Sequence, residues 1–219
     1  MVFTTRSVQL FLRWLALALA LACMPAPALD NNRFMEAAAA RGPRAVAGAQ
    51  ALIKLIERAS KMDEVARLSA VNTFFDDRIR YADDQEVWGV PDYWASPLEA
   101  LQKGAGDCED YAIGKYMTLA SAGVPIAKLR MVYVRAMQDG KSVAHMVLAY
   151  YAQPGAEPLI LDNLITEVKP ASQRPDLTPV FSFNSEGLWN GVGASSMGNP
   201  VARLSQWRDL LAKVKEEGF

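Results

Sequence analysis

The stretch "GAGDCEDYAIGKY", Gly104–Tyr116, combines a helix break, a helix start and one of only two cysteines in the chain of 219 residues. Gly104 and Gly106 interrupt the helical pattern before them, and Asp107 stands where a helix N-cap is expected. Cys108 therefore falls at the N-terminus of a predicted helix, where unpaired N–H groups and the helix dipole stabilise a thiolate. The acids around Cys108 oppose this effect, because negative neighbours raise the pKa of a thiol.

The segments around this stretch predict an α+β fold. Apolar residues recur at helical spacing between Leu52 and Tyr81, which indicates one or two amphipathic helices, and Ser96-Pro97 is typical of a further helix start. After the helix of Cys108, "KLRMVYVRAM" and "SVAHMVLAYYA" alternate apolar and polar residues on either side of the turn "QDGK". "EPLILDNLI" continues as a third antiparallel strand, and an amphipathic helix closes the chain. We expect helices with the cysteine-bearing helix packed on an antiparallel sheet.

The first 28 residues have the pattern of a secretory signal peptide. Arg6 and Arg13 precede an apolar run from Trp14 to Met24, and Ala26 and Ala28 fit the small-residue rule for cleavage. The run is short for a membrane span, which needs roughly 20 apolar residues. A retained anchor and a lipoprotein that uses Cys23 are the alternatives. We therefore expect a removed segment 1–28 and a single mature domain, 29–219, with no integral membrane span.

The mature chain offers little choice of reactive side chains. Cys108 is then its only cysteine, and His145 is the only histidine of the whole sequence. Loss of two arginines with the signal peptide moves the formal net charge from −1 to −3. This weakly acidic chain has no basic stripe, so nucleic acid is not an expected partner.

Three residues fall in positions that suit nucleophilic catalysis. Cys108 begins a helix, His145 lies in the second hairpin strand, and Asp162 ends the next strand. Neighbouring antiparallel strands bring such side chains together, so the three residues have the order of nucleophile, base and orienting acid. Each residue also has a structural alternative: a small buried thiol, a hydrogen-bonded core histidine and an aspartate of turn chemistry.

The segment "WGVPDYWASPLEALQKGAGDCEDYAIGKY", with "AHMVLAYY" and "LILDNL", resembles the bacterial transglutaminase-like cysteine proteinases of LapG type. The resemblance covers most of Phe74–Trp189 and is carried best by the block around Cys108. It implies a papain-like, transglutaminase-core fold, with the family's Cys, His and Asp falling on Cys108, His145 and Asp162. It further implies a periplasmic protease that cuts the N-terminal region of a large surface adhesin at a di-alanine site.

The same resemblance implies calcium dependence and a regulatory partner. Its calcium-binding acids fall on Asp107 and Glu109, and Asp110 is a further candidate ligand, in keeping with the hard oxygen ligands that calcium prefers. A bound cation would also reverse the unfavourable charge around Cys108. Without the resemblance, an N-cap and first-turn acids would be the preferred interpretation. The implied partner is an inner-membrane cyclic-di-GMP receptor of LapD type, which sequesters the protease.

Other functions remain open from the residues alone. The same three residues serve transglutaminases and acyltransferases, and a binding module could retain the fold without turnover. The backbone N–H of Cys108 is one candidate oxyanion donor, and Gln85, Trp88 and Trp94 are candidates for a second.

Overall fold

The computed structural model describes residues 29–219. The predicted signal peptide, 1–28, lies outside the described residues. Within residues 29–219, every helix is too short or too polar to span a bilayer.

The first quarter of the described chain is helical. The amphipathic region beginning at Leu52 forms two helices, because Asp63 starts a new helix by accepting a hydrogen bond from the Ala66 N–H at 2.9 Å. The alanine-rich segment before this region is helical too. The three helices are α1 (Asn31–Arg41), α2 (Pro43–Ala59) and α3 (Glu64–Arg78).

The segment between these helices and the hairpin begins with three short elements, β1 (Arg80–Tyr81), α4 (Asp84–Val87) and α5 (Pro97–Lys103). Ser96 starts α5 through a complete capping box with Glu99, as the Ser96-Pro97 pair predicts. They are followed by β2 (Ala105–Gly106) and α6 (Cys108–Ser121), and β2 pairs in parallel with β1. The C-cap of α6 is Ala122, and Gly123 follows it with a positive φ of 91°.

The predicted antiparallel hairpin is present and lies at the centre of a larger sheet. Asp139 and Gly140 form its turn with positive φ angles of 50° and 76°. Seven strands are arranged in the order β6-β5-β4-β3-β7-β8-β9, and all neighbours are antiparallel. The strands are β3 (Leu129–Gln138), β4 (Lys141–Tyr150), β5 (Leu159–Leu161), β6 (Lys169–Pro170), β7 (Leu177–Phe183), β8 (Leu188–Asn190) and β9 (Ser196–Gly198).

The helices and the sheet enclose the main core on one face of the sheet. Met146 and Leu148 of β4 join this core, whereas Val147 and Ala149 point to the other face and belong to a second apolar cluster. Two helices close the chain, α7 (Pro200–Arg203) and α8 (Ser205–Glu217), and α8 buries Trp207 in the main core. The α+β class is confirmed, with the helix that begins at Cys108 packed on an antiparallel sheet.

Candidate active site

Cys108 and His145 line the same cleft, which has a volume of about 360 Å³. Cys108 is the first residue of α6, and His145 lies in β4 opposite Val134 of the neighbouring strand. β5 pairs with β4 only from Leu148 to Tyr150, so the β4 edge beside His145 is not covered by β5. The start of α6 reaches this edge, and the Met146 N–H faces the thiol.

His145 and Asp162 form a buried hydrogen-bonded pair. The distance between His145 Nε2 and Asp162 Oδ1 is 2.7 Å, and both residues are almost fully buried. Asp162 follows β5 directly, and continuing the register beyond Leu161 makes it a diagonal cross-strand neighbour of His145. Asp162 Oδ1 also accepts the Leu164 N–H at 3.2 Å, so the residue takes part in turn chemistry as well.

Asp162 is ionised in this environment, which determines the histidine tautomer. Burial alone would raise the pKa of Asp162, but its hydrogen bonds to His145 and Arg174 outweigh burial and lower it. An ionised carboxylate only accepts hydrogen bonds, so His145 Nε2 carries a proton and donates it to Asp162. Nδ1 of the neutral ring is then left as a proton acceptor.

The thiol of Cys108 is directed to an acid in this structure. Cys108 Sγ donates to Glu109 Oε2 at 3.0 Å. Burial and the carboxylates of Glu109 and Asp107 raise the pKa of the Cys108 thiol, and the Met146 N–H offsets only part of this effect. The acids around Cys108 therefore oppose the formation of a thiolate, as the sequence predicts.

Asp107 occupies the N-cap position of α6 without acting as a side-chain cap. Its backbone is extended, but its carboxylate accepts no hydrogen bond from the helix, and Asp107 Oδ1 is buried without a partner. This geometry disfavours the capping interpretation of Asp107 and leaves the carboxylate free for another ligand.

The acid cluster beside Cys108 includes two residues that sequence reasoning missed, Asp84 and Asp92. Carboxylate oxygens of Asp84, Asp107 and Asp110 lie within 4.8 Å of one another, and the same holds for Asp84, Asp92 and Glu109. Asp84 and Asp92 come from "DDQEVWGVPDYW", a segment rich in turn-forming residues whose sequence alone does not predict a site. The number of acidic residues in this segment is the only sequence feature that could have indicated a role in the cluster.

The loop before α5 is tied to this acid cluster by two backbone donors. Asp84 Oδ2 accepts the Tyr93 N–H, and Asp110 Oδ1 accepts the Ala95 N–H at 2.8 Å. The second oxygen of each carboxylate, Asp84 Oδ1 and Asp110 Oδ2, is buried without a partner. A Cβ at Gly106 would lie 2.6 Å from Asp110 Oδ2, so glycine is needed for this close approach.

The charge of the cluster suits a hard cation. Burial raises the pKa of Asp84 to about 6, and burial together with Glu109 and Asp110 raises the pKa of Asp107 to about 10. The pKa of Asp110 is raised well above its usual value, first by burial. Burial of several carboxylates so close together is unfavourable without a cation, and three of their oxygens are buried without a hydrogen-bond partner. Both features fit calcium coordination.

The walls of the cleft are partly aromatic. Tyr133 and Phe181 stack with ring centroids 5.2 Å apart, and both line the cleft with Trp94. Among the candidates for a second oxyanion donor, Trp94 is thus near Cys108, whereas Trp88 packs against Tyr93. The segment before α5 therefore contributes to the cleft through Trp94.

The model of the bacterial transglutaminase-like cysteine proteinase family, BTLCP, matches residues 48–179. An EGTA-treated structure of LapG from Legionella pneumophila is 39% identical to the chain, with a TM-score of 0.75 over 86% of this chain and 99% of that chain. A second structure of the same protein is 37% identical, with a TM-score of 0.73 over 86% and 99%. Its calcium-bound structure is 37% identical, with a TM-score of 0.73 over 84% and 98%.

No curated protein matches the chain. The LapG structures confirm the transglutaminase-like fold that the resemblance implies, and the family match covers more than half of the chain. The protein therefore belongs to the bacterial transglutaminase-like cysteine proteinases.

Proposed function

We propose that this cysteine proteinase is a calcium-dependent periplasmic endopeptidase that cuts the N-terminal region of a large surface adhesin. One observation carries the proposal: His145 lines the same cleft as Cys108, and its Nε2 is hydrogen-bonded to Asp162. Similarity to LapG supports the choice of an adhesin as the substrate. Release of bacteria from a biofilm would be the consequence of such a cut.

In this proposal Cys108, His145 and Asp162 act as nucleophile, base and orienting acid. His145 Nδ1 takes the thiol proton, and the sulfur attacks the scissile carbonyl carbon. The proton then passes to the leaving amine, the C–N bond breaks and a thioester remains. Water hydrolyses the thioester and regenerates the thiol. The Cys108 N–H, in the first turn of α6 where no helical carbonyl is available, stabilises the oxyanion.

Calcium in this proposal would be held by Asp84, Asp107 and Asp110, with Glu109 and Asp92 at the side of the cluster. Its charge, when it is bound, offsets the acids that oppose the thiolate. The carboxylates of Asp84 and Asp110 already hold the loop that carries Trp94, so the same residues shape the cleft. The predicted set of Asp107, Glu109 and Asp110 is thus extended by Asp84 and Asp92.

The location and the partner follow from the family resemblance and the N-terminal sequence. Residues 1–28 would direct export and be removed, leaving 29–219 as the mature domain in the periplasm. An inner-membrane receptor of LapD type, responsive to cyclic-di-GMP, would sequester this domain and so protect the adhesin. Co-purification of the mature domain with the periplasmic part of such a receptor is the direct assay.

We expect the mature protein to cut the N-terminal region of the large adhesin from the same organism in calcium but not in EGTA. Sequencing of the product should give one new N-terminus. Cys108→Ala serves as the inactive control, since it removes the attacking sulfur.

Two results would change the proposal. A cut that persists in EGTA would remove calcium from the mechanism while keeping the protease. Absence of a cut, combined with ammonia release from a glutamine donor, would indicate transamidation by the same residues.

Asp84→Asn is expected to weaken calcium binding by about tenfold or more, because it removes a buried charge from the cluster. Isothermal titration calorimetry with calcium measures the effect without a substrate. Asp83→Asn is the matched control, because Asp83 is an exposed neighbour that does not belong to the cluster. Equal calcium affinity of Asp84→Asn and the wild type would exclude Asp84 as a ligand.

A further inference from the structure

Arg174 is a buried cation on the side of the sheet that faces away from the helices. It lies between the 3₁₀ turn Ala171–Gln173 and β7, and only 3% of its surface is exposed. It lines a cavity of about 210 Å³ whose other walls are mostly apolar, including Val134, Val147 and Ile160. An arginine in such surroundings is rare unless its charge is paired.

The charge of Arg174 is paired with two aspartates. Arg174 Nη2 donates to Asp162 Oδ2 at 2.7 Å and to Asp176 Oδ2 at 2.7 Å. Arg174 Nε donates to Asp176 Oδ1 at 3.0 Å. Asp176, which is partly exposed, thus holds the guanidinium in place while the guanidinium contacts Asp162.

Both oxygens of Asp162 are therefore occupied by different donors. Oδ1 accepts from His145 Nε2 and the Leu164 N–H, and Oδ2 accepts from Arg174. With Oδ2 fixed by Arg174, rotation of the carboxylate away from His145 would break a buried charge-assisted bond. The orientation of the imidazole thus depends on a residue that lies outside the catalytic cleft.

Stability alone is a weak reason for this arrangement. Desolvation of a buried ion pair offsets most of its attraction, and well-packed apolar residues often serve equally well. The pairing does, however, hold Asp162 in one geometry, and misplacement of a reacting group by about 1 Å costs about 10²-fold in rate.

We propose that Arg174 is a positioning residue, which orients Asp162 so that His145 presents Nδ1 to Cys108. The inference rests on the proposed function of these three residues. Arg174 itself touches neither the thiol nor the cleft, and it acts through the Asp162 carboxylate.

The charges around Asp162 determine the expected pH effect. Besides His145, Arg174 and Asp176, the buried Lys115 donates to the Asp162 carbonyl oxygen, and Asp76 pairs with Lys115. The charges of Lys115 and Asp76 offset each other, so the positive charge that stabilises ionised Asp162 comes mainly from Arg174. Loss of Arg174 therefore weakens the positive field at Asp162. Protonation of Asp162 then becomes easier, and activity on the acidic side of the profile is lost at a higher pH.

Arg174→Met is the main test, and Arg174→Lys is the conservative variant. We expect Arg174→Met to lower kcat/KM for adhesin cleavage by about 10²-fold at pH 7. The acidic limb of the pH profile should move to higher pH. Arg174→Lys should restore part of kcat/KM and part of the pH shift, since a lysine keeps the charge but not the planar fork. Alkylation of Cys108 by iodoacetamide, followed against pH, should show the same order of variants without any substrate.

Arg41→Met is the matched control. Arg41 forms an ion pair with the buried Glu217 at 2.7 Å, away from the cleft, so its loss should lower stability without moving the pH profile. Wild-type kcat/KM and pH profile in Arg174→Met would overturn the inference. A loss of activity without a shift of the acidic limb would also overturn the inference, because it would indicate a purely structural role for Arg174. If Arg174→Met fails to fold, Arg174→Lys and Asp176→Asn decide by the same two readouts.

The inference and the proposed function fail in different ways. If the wild type does not cleave the adhesin, the proposed function fails, while the pH dependence of Cys108 alkylation still tests Arg174. If the wild type cleaves and the Arg174 variants match it, the inference alone is wrong.

Discussion

Replacing His145 with alanine is expected to reduce kcat/KM for adhesin cleavage by about 10⁴-fold or more, in line with the loss of the base from a catalytic triad. His145 is the only histidine in the chain, so no second imidazole can take the thiol proton. Burial and the neighbouring acids already raise the pKa of the Cys108 thiol, which makes the base more necessary. Steady-state cleavage in calcium measures the loss.

The single histidine also permits a direct check of the geometry. The ¹⁵N and ¹H signals of the imidazole in the untagged protein need no assignment, and they should show the Nε2–H tautomer that Asp162 requires. His145→Ala should still bind calcium, because His145 is not part of the acid cluster. Retention of a tenth of the wild-type kcat/KM in a folded His145→Ala protein would rule out its role as the base.

Lys115→Met is expected to lower the free energy of unfolding by about 3–5 kcal/mol, the usual cost of removing one partner of a buried ion pair. Lys115 Nζ donates to Asp76 Oδ1 at 2.8 Å and to the Asp162 carbonyl at 3.1 Å. Burial lowers the pKa of Lys115 and raises that of Asp76, and each partner opposes the shift of the other. Without the lysine, Asp76 would remain buried and uncompensated.

This loss is also expected to disturb the site, because Lys115 lies two turns along α6 from Cys108. It connects α6, which begins at the proposed nucleophile Cys108, with α3 and with the segment that carries Asp162. Urea unfolding followed by circular dichroism measures the free energy, and iodoacetamide reports on Cys108.

Lys128→Met is the control for Lys115→Met, since Lys128 pairs with Glu64 near the surface and should lose at most about 1 kcal/mol. Adding Asp76→Asn to Lys115→Met should recover part of the stability, because it removes the unpaired charge. A loss below about 1 kcal/mol in Lys115→Met, or no recovery in the double variant, would contradict a strong buried pair.

Features that depend on neighbours in sequence were predictable. The Asp139-Gly140 turn between two alternating segments predicts the hairpin, and the capping residues around Ser96 predict α5, because short-range sterics and hydrogen bonds determine both. The scarcity of cysteine and histidine reduces the candidate nucleophile and base to Cys108 and His145.

Features that depend on distant segments were not predictable from periodicity. β7 joins the sheet beside β3 rather than beyond the strand that precedes it, since pairing of distant strands leaves no local pattern. Asp84 joins Asp107 and Asp110 only because the loop before α5 folds against the first turn of α6.

The sequence by itself determined the class of fold, the hairpin, the helix that begins at Cys108 and the choice of Cys108 and His145 as the candidate nucleophile and base. Tertiary structure alone decided which distant residues surround them: Arg174 and Lys115 at Asp162, and Asp84 in the acid cluster. The physical reason is that helix starts, turns and strand alternation depend on residues close together in the sequence. Burial and charge pairing, in contrast, arise only when distant segments pack together.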